Sequence, residues 1–86
     1  MPGYTITFAR SARKELQSLP IDVAERLLKK IESLITNARP AGSKKLSGSI
    51  DLWRLRVGDH RVVYKIDDSR RIVDVAVVRH RREVYR

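Results

Sequence analysis

The sequence contains no cysteine, only four glycines and three prolines, and few aromatic residues. The lack of cysteine excludes disulfides, thiolate nucleophiles and cysteine–zinc sites, and it fits a reducing compartment. No apolar run approaches the ~20 residues of a membrane-spanning helix, and no basic-then-apolar signal peptide opens the chain. We therefore expect a cytoplasmic protein that does not associate with membranes.

Acidic residues are scarce relative to basic ones. Ten Asp and Glu residues face 19 Lys and Arg residues, which gives a formal net charge of +9 on 86 residues. A charge of this size attracts polyanions, with nucleic acid first and acidic proteins second. A generally basic, solubilising surface is the alternative, and composition alone leaves both interpretations open.

The length predicts one domain, which we expect to span residues 1–86. Apolar residues alternate over residues 4–8, as in a half-buried strand. They then recur at helical spacing over residues 10–19 and 22–37. Pro20 separates these two predicted helices, because proline cannot donate to the helical hydrogen-bond ladder. The short break makes the pair a helix hairpin.

The second half of the chain has a strand pattern. Residues 38–50 have no clear period and predict a loop. Apolar and polar residues then alternate in three segments, residues 52–57, 60–67 and 72–80. The expected fold class is α+β in the order β-α-α-β-β-β. A helix hairpin packs on one face of a mainly antiparallel four-stranded sheet, and a short basic C-terminal tail follows.

The turn at Gly58-Asp59 is typical of a two-residue hairpin and fixes the strand register. Arg56 then lies opposite Arg61. A slip by one residue would turn the arginines into the core at several kcal/mol each, so energy favours this register. The face expected under the helices carries Trp53, Leu55, Val57, Val62, Tyr64 and Ile66. The opposite face carries Leu52, Arg54, Arg56, Arg61, Val63 and Lys65.

The last strand extends both faces. After a turn at residues 68–71, a continuous ladder pairs Val62 with Val77 and puts His80 on the arginine face. The directly opposed Arg56 and Arg61 repel each other by a few tenths of a kcal/mol or more unless an anion lies between them. The alternative is that arginines on a solvated sheet face extend harmlessly into water.

The C-terminal residues 79–86 hold four arginines, one histidine and one tyrosine. Guanidinium groups bind phosphate, an aromatic ring stacks on an unpaired base, and imidazole transfers protons near neutral pH, so this set is typical of an RNA site. A solvated, frayed end is the alternative, and Tyr85 is equally compatible with packing into the core.

Two runs of sequence carry a resemblance to a known family. They are Leu-Trp-Arg-Leu-Arg-Val-Gly-Asp-His-Arg-Val-Val-Tyr at residues 52–64 and His-Arg-Arg-Glu-Val-Tyr-Arg at residues 80–86, preceded by Lys-Leu-Ser-Gly at residues 45–48. With the predicted element order, the chain resembles the RelE/ParE superfamily of bacterial and archaeal toxins. The motif at residues 52–59 is specific to the superfamily and less specific to one branch.

The resemblance implies a type II toxin, and its RelE branch cleaves mRNA in the ribosomal A site without metal or cofactor. The ribose 2′-hydroxyl attacks the adjacent phosphate and leaves a cyclic phosphate and a 5′-hydroxyl end. Arg61 matches the arginine that stabilises the phosphate, Arg81 the one at the leaving oxygen, and Tyr85 the tyrosine that stacks on a base.

The resemblance also marks a departure. Arg54 and Arg56 take the place of two lysines, one of them a candidate general base. Arginine is a poor base, so we expect these two to stabilise the transition state electrostatically, and we expect His80 or the ribosome to assist proton transfer. Further RNA contacts are expected from Lys44, Lys45, Arg79, Arg82 and Arg86.

The expected partners are an acidic RelB-like antitoxin that folds on binding, and mRNA in the ribosomal A site together with ribosomal RNA. Two other interpretations stay open. The first is a ParE-like toxin, which inhibits DNA gyrase by binding, without cleaving RNA. The second is a degenerate, non-toxic member of the superfamily or a plain RNA-binding module.

Overall fold

The computed structural model describes residues 3–46 and 51–80. In these ranges, five strands form a mixed sheet with the strand order β1-β5-β4-β3-β2, and two α-helices accompany it. The elements are β1 (Thr5–Phe8), α1 (Arg10–Ser18), α2 (Ile21–Glu32), β2 (Ser43–Lys45), β3 (Leu52–Val57), β4 (His60–Asp67) and β5 (Ile72–His80).

The α+β class is confirmed, and the predicted strand count is wrong by one. β2 lies inside the segment predicted to be a loop and pairs antiparallel with β3. β1 runs parallel to β5, whereas all other neighbours are antiparallel, so the sheet is mainly antiparallel as expected.

Both helices cover one face of the sheet, with α1 beside β5 and α2 beside β3. α1 buries Ala12 and Leu16, which lie four residues apart on one side of the helix. α2 buries Leu27 and Ile31 in the same way and begins directly after Pro20. The second helix was predicted to reach residue 37. The α-helix instead ends at Glu32 and tightens into a 3-10 turn over Ser33–Ile35.

Neither helix in the described ranges has the length and apolar composition that crossing a bilayer requires.

Tyr64 is the largest side chain that the core encloses completely, with no exposed surface. Its hydroxyl donates a 2.9 Å hydrogen bond to the backbone carbonyl of Ala38. This bond ties the segment after the 3-10 turn to the centre of the sheet, and burial raises the pKa of the phenol. Tyr64 therefore combines apolar packing with hydrogen bonding of its buried hydroxyl, in which the Ser43 side chain also takes part.

We expect Tyr64→Phe to lower the free energy of unfolding by ~1 kcal/mol, because the Ala38 carbonyl loses its donor while the ring packing is retained. Thermal unfolding should show this as a decrease in Tm of about 4–8 °C. An unchanged Tm would mean that the hydrogen bond does not contribute.

A cluster of polar side chains outside the core links the residue before β1, the segment after the 3-10 turn and the end of β4. Tyr4 donates a 2.6 Å hydrogen bond to Asp68 Oδ1, and the Arg39 guanidinium contacts both oxygens of Asp68, at 3.3 and 2.9 Å. Arg39 also lies over the ring of Trp53, 5.2 Å from its centroid. The hydrogen bond from Arg39, followed by that from Tyr4, holds the pKa of Asp68 below its usual value.

Because the folded-state pKa of Asp68 is lowered, its contribution to stability exists at neutral pH and is lost as pH falls through that pKa. We expect Asp68→Asn to lower Tm at pH about 7, and to lower it much less at an acidic pH at which the wild-type carboxylate has itself taken up a proton. The comparison of Tm values at the two pH values tests this. An equal decrease at both would exclude the charged form as the stabilising species.

Candidate nucleic-acid interface

The hairpin of β3 and β4 has the register that the sequence predicts. Val57 lies opposite His60, and Arg56 lies directly opposite Arg61. Leu55 and Val57 are buried under the helices. Arg56, which lies between them along β3, therefore faces the other side of the sheet. The face opposite the helices therefore carries the arginines, as predicted.

The pairing of β4 with β5 departs from the prediction. Tyr64 lies opposite Val75, but Val63 lies opposite Val77 and Val62 opposite Val78, with a register shift between Val63 and Tyr64. Ala76 is thus the extra residue of a β-bulge, and the predicted pairing of Val62 with Val77 is wrong.

The bulge lies where β5 changes its neighbour. β1 pairs with β5 only as far as Val75. The carbonyl of Val75 then accepts a 2.8 Å hydrogen bond from the Ala9 backbone, and the carbonyl of Ala76 accepts one of 3.2 Å from the Ser11 hydroxyl of α1. Ala9, directly before α1, and Ser11, in its first turn, therefore provide hydrogen-bond donors to β5 beyond the end of β1. These contacts stabilise the bulge.

The bulge reverses the orientation of every later residue in β5. Val78 enters the core, Arg79 lies opposite Arg61, and His80 lies opposite His60. The expectation that His80 shares a face with the arginines is therefore wrong, because its side chain lies on the helix side of the sheet. Arg79, predicted only as an RNA contact, takes the position beside Arg61.

The chemistry of Arg79 and His80, the last two residues of β5, explains why the strand has a bulge instead of pairing continuously. A continuous ladder would turn Arg79 towards α2, and a guanidinium group stays charged at any physiological pH, so partial burial would cost several kcal/mol. Imidazole can instead be neutral. The bulge leaves Arg79 exposed and puts the half-buried position on His80.

Arg56, Arg61 and Arg79 consequently form a row across three adjacent strands, which we call the arginine row. Neighbouring strands lie about 4.8 Å apart, so the row spans roughly 10 Å of backbone. Arg54 lies on the same face, two residues before Arg56 along β3. Such a row of forked donors fits the non-bridging oxygens of a phosphodiester.

β2 adds one of its two lysines to this face. Lys44 lies opposite Arg54, whereas Lys45 lies opposite Trp53, whose ring belongs to the helix side of the sheet. Lys44 therefore extends the basic face, and Lys45 does not. Both side chains are exposed.

No carboxylate of the described ranges forms an ion pair with Arg54 or Arg56. At the other end of the same face, Lys65 lies opposite Asp74, which accepts a 2.6 Å hydrogen bond from the Thr7 hydroxyl. A lysine thus faces a carboxylate at one end of the face, and the arginines lie at the other. Four predicted site residues, Arg81, Arg82, Tyr85 and Arg86, lie outside the described residues.

Within residues 3–46 and 51–80, no three His, Cys, Asp or Glu side chains cluster in a way that would hold a metal ion.

Comparison with known families decides the identity. Residues 6–85 match the family described as "ParE toxin of type II toxin-antitoxin system, parDE". The chain belongs to the RelE/ParE superfamily of type II toxins. The Mycobacterium tuberculosis toxin RelE is 30% identical to it over 84 residues, which is 96% of this chain and 87% of the relative.

Solved structures agree with this assignment. The toxin superposes with a TM-score of 0.82 on the archaeal RelE–RelB complex from Pyrococcus horikoshii OT3, at 28% identity, covering 92% of this chain and 96% of the other. The isolated Escherichia coli RelE toxin gives a TM-score of 0.80 at 31% identity, covering 95% and 90%. The fold and the superfamily are therefore shared, while the family profile carries the ParE name and these relatives the RelE name.

Two cations of the arginine row, Arg56 and Arg61, lie directly opposite each other. We expect Arg56→Gln to raise the free energy of unfolding at low ionic strength by a few tenths of a kcal/mol, because it removes the cation directly opposite Arg61. Added salt should reduce the difference, because it screens exposed charges. Denaturant unfolding at low and high ionic strength measures both effects.

Lys65→Gln is the matched control, since it removes a cation that lies opposite the carboxylate of Asp74. This variant should be less stable than the wild type at low ionic strength. If both variants shift stability in the same direction, cross-strand charge is not the cause.

Proposed function

We propose that this toxin is a ribosome-dependent mRNA endoribonuclease that cleaves without a metal ion. The observation that supports this proposal is the arginine row, in which the guanidinium groups of Arg56, Arg61 and Arg79 project from neighbouring strands on the face without helices. Guanidinium groups on adjacent strands can donate several hydrogen bonds to one phosphate. A phosphodiester is the anion whose charge increases during strand cleavage, so the row stabilises the transition state more than the ground state.

In the proposed reaction, the ribose 2′-hydroxyl attacks the adjacent phosphorus in line with the departing 5′ oxygen. Arg61, at the centre of the row, and its neighbours donate hydrogen bonds to the equatorial oxygens of the phosphorane. This preorganised stabilisation is often the largest contribution to catalysis. The products are a 2′,3′-cyclic phosphate and a 5′-hydroxyl end.

The arginines do not accept the proton of the 2′-hydroxyl, because guanidinium groups stay protonated near neutral pH. That proton passes to solvent or to a group of the ribosome, and the departing 5′ oxygen takes up a proton to become the 5′-hydroxyl. His80 projects from the helix side of β5, away from Arg61, and we do not assign it to this step. The ribosome orients the 2′-hydroxyl in line with the leaving oxygen, so that positioning provides part of the acceleration. Lys44 and Arg54 extend the RNA track along β2 and β3, and Arg81 and Tyr85 keep their proposed roles at the leaving oxygen and the base.

A RelB-like antitoxin is the proposed partner in the resting state, and both proteins are proposed to act in the cytoplasm. The homologous RelE toxins of P. horikoshii and E. coli were solved in complex with RelB antitoxins. A net charge of +9 favours an acidic partner. Such a partner silences the toxin by covering the arginine row or by excluding the toxin from the ribosome.

Inhibition of DNA gyrase by binding is the second candidate function, because the matching family profile is that of ParE toxins. In that case the basic face would recognise a protein or DNA surface, and no RNA would be cleaved.

We expect induced expression of the wild type to arrest growth and to produce 5′-hydroxyl ends at codon-spaced positions of a reporter mRNA, detected by primer extension. Arg61→Ala should reduce cleavage at least ~10²-fold, since removal of one preorganised donor to a developing oxyanion typically costs ~10²- to 10³-fold. Arg79→Ala should have a similar effect. Lys14→Gln, which removes an exposed cation of α1 on the helix side, should cleave like the wild type.

The two candidate functions give opposite results. Growth arrest with DNA-damage signalling, inhibited supercoiling by purified gyrase and intact reporter mRNA would support the gyrase function and contradict the nuclease. Retained cleavage by Arg61→Ala and Arg79→Ala would contradict the assignment of the site.

A further inference from the structure

The face of the sheet without helices, the open face, carries a second group of polar side chains at the end away from the arginine row. Thr7 of β1 lies opposite Asp74 of β5, and Asp74 lies opposite Lys65 of β4. The three residues thus follow one another across adjacent strands, and we call them the Asp74 triplet. They place one hydroxyl, one carboxylate and one amine side by side.

The carboxylate of Asp74 is held in position and still has acceptor capacity. The Thr7 hydroxyl donates a 2.6 Å hydrogen bond to its Oδ1, and the side chain is half-buried. Among residues 3–46 and 51–80, no cation forms an ion pair with this carboxylate, although Lys65 lies directly opposite. A carboxylate has lone pairs for about four hydrogen bonds. Most of the acceptor capacity of Asp74 therefore remains for a ligand.

An apolar strip lies between the Asp74 triplet and the arginine row. Val63 of β4 lies opposite Val77 of β5, and both are half-buried on the open face. Lys65 follows Arg61 by four residues along β4, which corresponds to about 13 Å. An RNA strand whose phosphate binds at the row therefore reaches the triplet with the base of a nearby nucleotide. Its sugar or ring crosses an apolar surface on the way.

We propose that the Asp74 triplet recognises one base of the RNA strand bound at the arginine row, and that it selects bases with an exocyclic amino group. The Asp74 carboxylate accepts a hydrogen bond from the amino group, and Lys65 donates one to an acceptor on the same edge of the base. Thr7 is a positioning residue that orients the carboxylate and does not contact RNA. This proposal rests on the proposed nuclease function and specifies which RNA sequences its site accepts.

The donors and acceptors of the four bases give the direction of the selection. Single-stranded RNA presents the Watson–Crick edges of its bases to a protein. Cytosine, adenine and guanine each carry an amino group there, the type of donor that aspartate binds in cytosine. Uracil has no amino group, and its N3–H lies between two carbonyl oxygens that a carboxylate repels. A site that needs a donor from the base therefore rejects uracil most strongly.

Ribosome-dependent cleavage of a series of reporter mRNAs tests the proposal. Each member carries a different base at one of the positions that flank a single cleavage site. At one position, we expect the wild type to cut the uracil member ~10-fold more slowly than the cytosine member, which is the discrimination that a good base contact provides. Asp74→Asn should cut both members equally, because a carboxamide offers a donor as well as an acceptor and so pairs with either base. The ratio of variant to wild-type rates cancels the sequence preferences of the ribosome.

Matched variants separate base recognition from general effects on the fold. Thr7→Val removes the hydroxyl that orients Asp74 and should lose most of the discrimination, whereas Thr7→Ser should restore it. Thr5→Val makes the same change two residues earlier on the same face of β1 and should keep the wild-type discrimination. Glu25→Gln removes an exposed carboxylate of α2 and should keep it too. Equal losses in these controls and in Asp74→Asn would overturn the proposal.

The base-recognition proposal and the nuclease proposal fail in different ways. If Asp74→Asn cleaves with the same base preferences as the wild type at every position, the nuclease stands and base recognition by the triplet is overturned. If no form of the toxin cleaves RNA, the nuclease proposal is overturned. The affinities of the full-length toxin for short fluorescent RNAs that differ in one base then decide the matter. Weaker binding of uracil than of cytosine, equalised by Asp74→Asn, would support base recognition, and equal wild-type affinities would overturn it.

Discussion

The β-bulge at Ala76 is the constraint on which the rest of the structure depends. It lies where β5 loses β1 as a neighbour, and the start of α1 contributes hydrogen bonds to the carbonyls of Val75 and Ala76. One additional residue at this point decides which side chains beyond it face the core and which face solvent. Arg79 and His80 both lie beyond it, and they occupy opposite faces of the same strand end.

The sequence predicted the β3–β4 hairpin correctly because two independent constraints agreed. A two-residue turn permits one register, and any slip would bury permanently charged groups such as Arg56. The bulge had no comparable signal, because Val77 and Val78 fill a core position equally well. The informative residues were the next two: Arg79 must remain in solvent, whereas His80 need not. β2 was missed because it is three residues long and pairs through its backbone, without an apolar alternation.

The two faces of the sheet divide the requirements for stability and for function. The helix side holds the buried core, to which the hydrogen bond from Tyr64 fastens Ala38, while Asp68 binds Arg39 and Tyr4 outside it. The open face carries the arginine row, whose side chains take no part in that core. Because successive side chains of a strand point to opposite faces, the sheet can assign packing to one face and recognition to the other.

The family profile carries the ParE name and the relatives carry the RelE name on the same scaffold, and a fold does not by itself determine a function. What distinguishes a nuclease from a binding inhibitor is whether the cations converge on one phosphate or spread over a surface. In this toxin the bulge adds Arg79 to a row that would otherwise hold only Arg56 and Arg61. Spreading the same charges over the surface would lower repulsion and would suffice for binding a polyanion. Their alignment on adjacent strands is therefore the observation on which the proposed recognition of a single phosphodiester rests.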